Sequence, residues 1–223
     1  MLSKHDISKR WCVKELKQYI KKGDKVVVVA FSFRDSEIAN EREWDRFYGA
    51  KGYLSTAIEK SFKSYGIPRE NIEYIDYFRD TPASAMRKLQ NAEIVYFPGG
   101  VQSRRGEPDR IMTRAIEFEI FSAIENHRGV VIGFGAGAQV QLANYHILKK
   151  GRRMSPSLGF RFADGFDVMP GYTNEDSQNY FIKRVVTETG SPVYAIGDEG
   201  ALIVNNGTMS VVGDVHCFRK RAS

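Results

Sequence analysis

The chain has 223 residues, 42% of them hydrophobic and 27% charged, with a formal net charge of +6. That length suits a single α/β domain spanning residues 1–223 around one large core, and the composition excludes a disordered chain. The longest apolar runs, such as residues 26–31, are strand-sized and far short of the roughly 20 residues a membrane span needs; with no signal peptide in view, a cytoplasmic protein is expected.

Helical spacing of Val13, Leu16 and Ile20 predicts a first helix, which Gly23-Asp24 breaks before a buried strand over 25–31. A charged loop over 34–46 leads to a second helix marked by Leu54, Ile58, Phe62 and Tyr65, ended by Gly66 and Pro68. Alternation over 71–77 predicts a strand, and Thr81-Pro82 caps a short helix carrying Ala85, Met86 and Leu89. The run 94–97 is a further strand closed by Pro98-Gly99-Gly100, and Ile116, Ile120 and Ile124 predict one long amphipathic helix. A strand over 129–134 and a helix over 136–145 follow. Beyond them the pattern loosens: a strand over 166–169, a helix over 177–187, and short strands over 193–196, 201–204 and 210–212. The last two are joined by a turn at Asn205-Asn206-Gly207. Strand and helix alternate four times in the first 150 residues, which predicts a mostly parallel sheet covered on both faces, a three-layer flavodoxin-like domain.

Two cysteines at opposite ends, Cys12 and Cys217, make neither a metal box nor a disulfide framework, so no metal and no cofactor are expected. The basic clusters Lys149, Lys150, Arg152 and Arg153, and Arg219, Lys220 and Arg221, read as solvated ends rather than as a phosphate-tracking patch. Neither nucleic acid nor membrane is an expected partner, and homo-oligomerisation stays open.

In open parallel sheets, sites form beyond the carboxyl ends of the strands. Two loops stand out there, Phe97-Pro98-Gly99-Gly100-Val101-Gln102-Ser103 and Ile132-Gly133-Phe134-Gly135-Ala136-Gly137-Ala138. The second has the strand-turn-helix context and Gly-x-?-x-Gly spacing of a nucleophile elbow, in which a strained central residue is lifted above the sheet. Here that residue is Gly135, which adopts positive φ without the penalty of roughly 1 kcal/mol or more that a side chain incurs. Gly133, Gly135 and Ala138 also fit the dinucleotide fingerprint G-x-G-x-x-[GA]. Against that reading, the fingerprint normally opens the first βαβ unit, and no Asp or Glu occurs from Ala136 through Ala163.

These loops resemble the dipeptidase E and cyanophycinase family, which shares the class I glutamine amidotransferase-like fold. The first is similar to its glycine-rich loop and the second to its Gly-x-Ser-Ala-Gly-Ala elbow. The segment through Met169-Pro170-Gly171-Tyr172 is similar to the stretch that ends in the family's Pro-His-aromatic motif, and 196–212 to its closing hairpin, including Glu199-Gly200. The resemblance implies that the family's catalytic serine falls on Gly135 and its histidine on Gly171. It places Lys149 and Lys150 near the third, acidic, member. A hydroxyl needs a nearby base to become a nucleophile, and the base needs an acid to orient it. No member of that triad is present, so no catalytic residue is expected. Backbone donors near Gly99 or Gly100 and at Ala136 remain as an oxyanion-type pocket.

Ser103 could be a displaced nucleophile or a loop serine. Arg104 and Arg105 could contact an anionic ligand, and Glu199 could face the pocket. The acidic run from Asp35 to Glu43 is either a flap or a solvated loop, and His216-Cys217 is read as structural because adjacent strand residues face opposite ways. The expectation is a peptidase E-like homologue that binds a small-molecule or short acidic peptide ligand and lacks peptidase activity. The alternatives are a hydrolase using Ser103 or Glu199, and a nucleotide-binding protein.

Overall fold

The computed structural model describes residues 1–2, 6–101, 107–149 and 153–220. Four short strands, β1 (Val26–Val28), β2 (Ile72–Tyr74), β3 (Ile94–Phe97) and β4 (Val130–Gly133), form a parallel sheet in the order β2-β1-β3-β4. Apart from the half-buried Val130 and Val131 of β4, their valines and isoleucines are buried on both faces, as crossover helices require of a parallel sheet. Val26, Val28, Ile94, Tyr96 and Ile132 pack on one side with α1 (Arg10–Leu16), α2 (Glu41–Tyr48) and α3 (Tyr53–Lys63). Val27, Val29, Val95 and Phe97 pack on the other with α4 (Pro82–Gln90), α5 (Pro108–Glu117), α6 (Phe121–Glu125) and the short α7 (Ala136–Gln139). The result is the expected three-layer α/β arrangement.

The remainder of the chain extends this frame. An antiparallel hairpin, β5 (Asn144–Lys149) with β6 (Arg153–Leu158), precedes β7 (Asp167–Pro170). Helix α8 (Asp176–Thr189) then leads into β8 (Val193–Asn205) and β9 (Thr208–Phe218). β7 pairs parallel with the first part of β8, and β9 runs antiparallel along almost all of it. Residues Met1 and Leu2 join the two sheets: Leu2 bridges Phe134 in parallel and Ala201 antiparallel. Among the described residues no helix is long and apolar enough to cross a membrane.

Several elements differ from the sequence expectation. The loop over 34–46 contains α2, whose cap is Asn40: its side chain accepts the Glu43 N–H. The expected long helix is two. α5 stops where Glu119 takes φ 56°, and Ile120 N–H bonds Ala115 O at 3.0 Å, closing the helix with a left-handed residue that is not glycine. Ile116 consequently faces solvent while Ile120 and Ile124 are buried. The helix expected over 136–145 ends at Gln139, because Phe160 N–H takes Val140 O at 2.7 Å and Asn144 starts the β5–β6 hairpin. The strands expected at 193–196 and 201–204 are one strand with a bulge between Ile196 and Gly200. The turn after Asn205 is as expected, with Asn206 and Gly207 both at positive φ.

Candidate functional site

The elbow between β4 and α7 is built by close approach of backbones. A Cβ on Gly133 would lie 2.0 Å from Gly137 O, and one on Gly137 would lie 2.5 Å from Phe97 Cβ and Phe97 O. These two glycines therefore let α7 press down onto β3 and β4, which accounts for them without a nucleotide. Gly135 has φ 51° and ψ −118°, a conformation that strains any L side chain and that lifts the central residue of an elbow above its sheet. Gly135 and Ala136 are buried, as are Gly99 and Gly100 at the end of the adjacent β3. Among the described residues, the N–H groups of Gly99, Gly100 and Ala136 have no hydrogen-bond partner. Buried backbone N–H groups are nearly always paired, so three such donors beside the elbow can anchor an oxygen ligand.

Strand registers bring the other expected site residues to the same place. Leu2 leaves the sheet beside Phe134, hence beside Gly135, and beside Ala201, hence beside the β8 bulge. β7 lies on the same edge of β8 and runs toward that bulge from the opposite direction, pairing Pro170 with Ile196. Gly135, Gly171 and the bulge at 197–200 therefore converge. Gly171 has φ 71°, its carbonyl accepts Gln178 Nε2 at 2.7 Å, and a Cβ built there meets no atom of the described residues within 4 Å. The position that the family resemblance assigns to a histidine thus carries no side chain. Glu199 sits on the bulge with an exposed side chain. Ser103, Arg104 and Arg105 lie outside the described residues, as does Lys150.

No described histidine is placed to act as a base at the elbow. His127 precedes β4 at the sheet's amino end and contacts Glu93 O at 3.2 Å; burial pushes its pKa down. His146 is held at the amino end of β7, with Nδ1 2.7 Å from the buried Asp167 carboxylate. His216 pairs across the ladder with Ala195, which packs with Met169 and α8, whereas α7 packs with Val168 and Ile196 on the other face. His216 contacts Asp214 at 3.0 Å and packs against the Tyr172 ring, consistent with its structural reading.

The acidic run after β1 is a docked loop. Arg114, 2% exposed, donates to Phe31 O at 2.7 Å, Phe33 O at 2.8 Å and Asp35 Oδ1 at 2.8 Å. Its guanidinium lies 3.7 Å from the Phe33 ring centroid, and burial lowers its pKa. Arg34 Nε donates to Glu107 at 2.6 Å, and Glu107 N–H donates to Ser32 Oγ at 2.7 Å. Sequence reading missed Arg114 because a single arginine in an amphipathic helix carries no signal of burial. This clamp fixes the loop beside the glycine-rich end of β3.

Comparison with solved structures decides the fold. The chain matches the 1.5 Å crystal structure of a "Putative Peptidase E Protein" from Listeria monocytogenes EGD-e, with a TM-score of 0.54 at 17% identity, over 92% of this chain and 95% of that one. The fold is that of the peptidase E structure. No family model and no curated protein matches the sequence. At Gly135 the turn between β4 and α7 has the backbone of an elbow and no side chain on it.

Proposed function

We propose that this peptidase E-fold protein has lost acyl-transfer chemistry and uses the vacated elbow to bind a small acidic ligand or short acidic peptide. The observation that carries the reading is Gly135, held at φ 51° and ψ −118° with no nucleophile attached. The elbow's backbone donors at Gly99, Gly100 and Ala136 suit a carboxylate oxygen as well as an oxyanion, and charge-assisted N–H bonds of this kind are the stronger ones. Among the described residues no histidine stands at the elbow to activate a hydroxyl.

Calorimetric titration with acidic dipeptides tests the reading. Saturable binding is expected in the wild-type chain and loss of it in Gly135→Leu, whose side chain fills the pocket. Binding that Gly135→Leu leaves unchanged places the ligand elsewhere and refutes the proposal.

A further inference from the structure

The outer edge of the second sheet is β9, which among the described residues pairs with β8 on one side and with no strand on the other. At 11 residues it is about twice the usual strand length. The phase of its free edge follows from β8. Met1 and Leu202 exchange both bonds, at 2.9 and 3.0 Å, and Tyr172 N–H bonds Ile196 O at 3.0 Å, so Leu202 and Ile196 point their main-chain groups away from β9. Their ladder partners, Val211 and Val215, therefore point theirs away from β8, and by alternation so do Met209, Gly213 and Cys217. No described residue bonds these groups from the outside. Native sheet edges are blunted by lysine, proline, bulges or a covering segment. The parallel sheet is closed in this way at β2, where Ile72 N–H bonds Arg69 O and Tyr74 O accepts Lys88 Nζ at 2.8 Å. β9 is not: from Thr208 to Phe218 it has neither lysine nor proline, the bulge falls in β8, and Val211 is 50% exposed.

We propose that β9 pairs antiparallel with β9 of a second copy of this chain, about a two-fold axis at Val215, joining two sheets into one. An edge paired with itself makes a closed interface, whereas head-to-tail pairing leaves a free edge at each end. Residues opposite one another across such an axis lie on the same side of the sheet, and their side chains select the register. Centred on Val215, Asp214 of each copy stands opposite His216 of the other, and Phe218 stands opposite Val212. No other centre sets an acid against a base within β9, and a centre one residue earlier sets Asp214 against itself. Asp214 and His216 direct their main-chain groups inward to β8, so across the axis they form a non-hydrogen-bonded pair, the closer kind, with Cα atoms about 4.5 Å apart. Both side chains are exposed and already touch within the strand, Nε2 to Oδ1 at 3.0 Å. Pairing therefore gathers them into one cluster in which acids and imidazoles alternate. Val215 with its own copy, and Gly213 with Cys217 on either side, supply roughly six main-chain hydrogen bonds; strand addition takes its affinity from such bonds.

Sedimentation of the 223-residue chain from about 1 to about 500 µM tests this. A reversible monomer–dimer transition within that range is expected, and a chain still monomeric at the upper limit overturns the proposal. In the same samples, hydrogen exchange at the Gly213, Val215 and Cys217 amides should slow as the dimer forms. The Met209 amide, which also points outward but lies beyond the paired segment, should stay fast. Protection that misses Val215, or that reaches Met209 equally, overturns the register and the proposal with it. His216→Asp leaves only carboxylates around the axis and is expected to weaken association about tenfold or more; undiminished association of that variant has the same consequence. Val215→Pro removes the donor at the axis without taking a bond from β8, so the folded variant should stay monomeric. If proline prevents folding, the exchange pattern and His216→Asp decide the matter by themselves.

Discussion

Replacing Arg114 with methionine should destabilise the protein by about 3 kcal/mol. The variant keeps the length of the apolar stem but orphans the carbonyls of Phe31 and Phe33, each within 2.8 Å of the guanidinium. Each unsatisfied buried carbonyl costs about 1–3 kcal/mol, and the lost stacking on Phe33 adds about 0.5–2. The Asp35 pair contributes little, because that carboxylate is 66% exposed. Relief from burying a charge offsets part of the sum, which leaves the net figure near 3. For a chain of this size that corresponds to a fall in Tm of roughly 6–12 °C, read by thermal unfolding under circular dichroism. Asp35→Asn should change Tm by no more than about 2 °C. An Arg114→Met protein within about 2 °C of wild type would show that the arginine does not clamp the loop after β1.

Gly137→Ala forces a Cβ to 2.5 Å from Phe97, so a loss of about 1–3 kcal/mol is expected, and full stability would refute the close packing of α7 on β3. Lys88 Nζ lies 2.6 Å from Asp80. Burial pushes the Asp80 carboxyl up, but hydrogen bonds from Lys88 and Ser84 and the Asp76 N–H outweigh it and hold the pKa below the ordinary aspartate value. A depressed carboxyl pKa gives stability that is complete above the unfolded value and is lost as pH falls through the folded one. Lys88→Met should therefore destabilise at neutral pH, by an amount that shrinks on acidification below about pH 3.9; a pH-independent difference in Tm would contradict that pairing.

The parallel sheet, the alternation of its strands with helices and the elbow were legible because apolar runs of strand length alternate with periodic helices, and because glycines mark places where backbones touch. What was not legible depended on contacts distant in sequence. Nothing in the local pattern at 136–145 distinguishes a helix from a turn followed by a strand; the choice is made by residues 153–158, which pair with 144–149. Glu119 closes α5 in a left-handed conformation usually marked by glycine, so one helix was read where two exist. The bulge in β8 looked like an interruption because its glycines break the alternation, while β9 holds both halves in one ladder. At the site, Gly135 could be placed from the motif alone. Its convergence with Gly171 and the β8 bulge was implied only by the family resemblance and not by the local pattern, since it depends on Met1–Leu2 tying β4 to β8.

An elbow without a nucleophile should be catalytically silent, and a turnover assay checks this. Micromolar protein incubated with acidic dipeptides and small amides, followed by mass spectrometry, should release no product above the uncatalysed background in either the wild type or Gly135→Leu. Product formed by the wild type and abolished in Gly135→Leu would mean that the elbow pocket is catalytic, and the claim would fall.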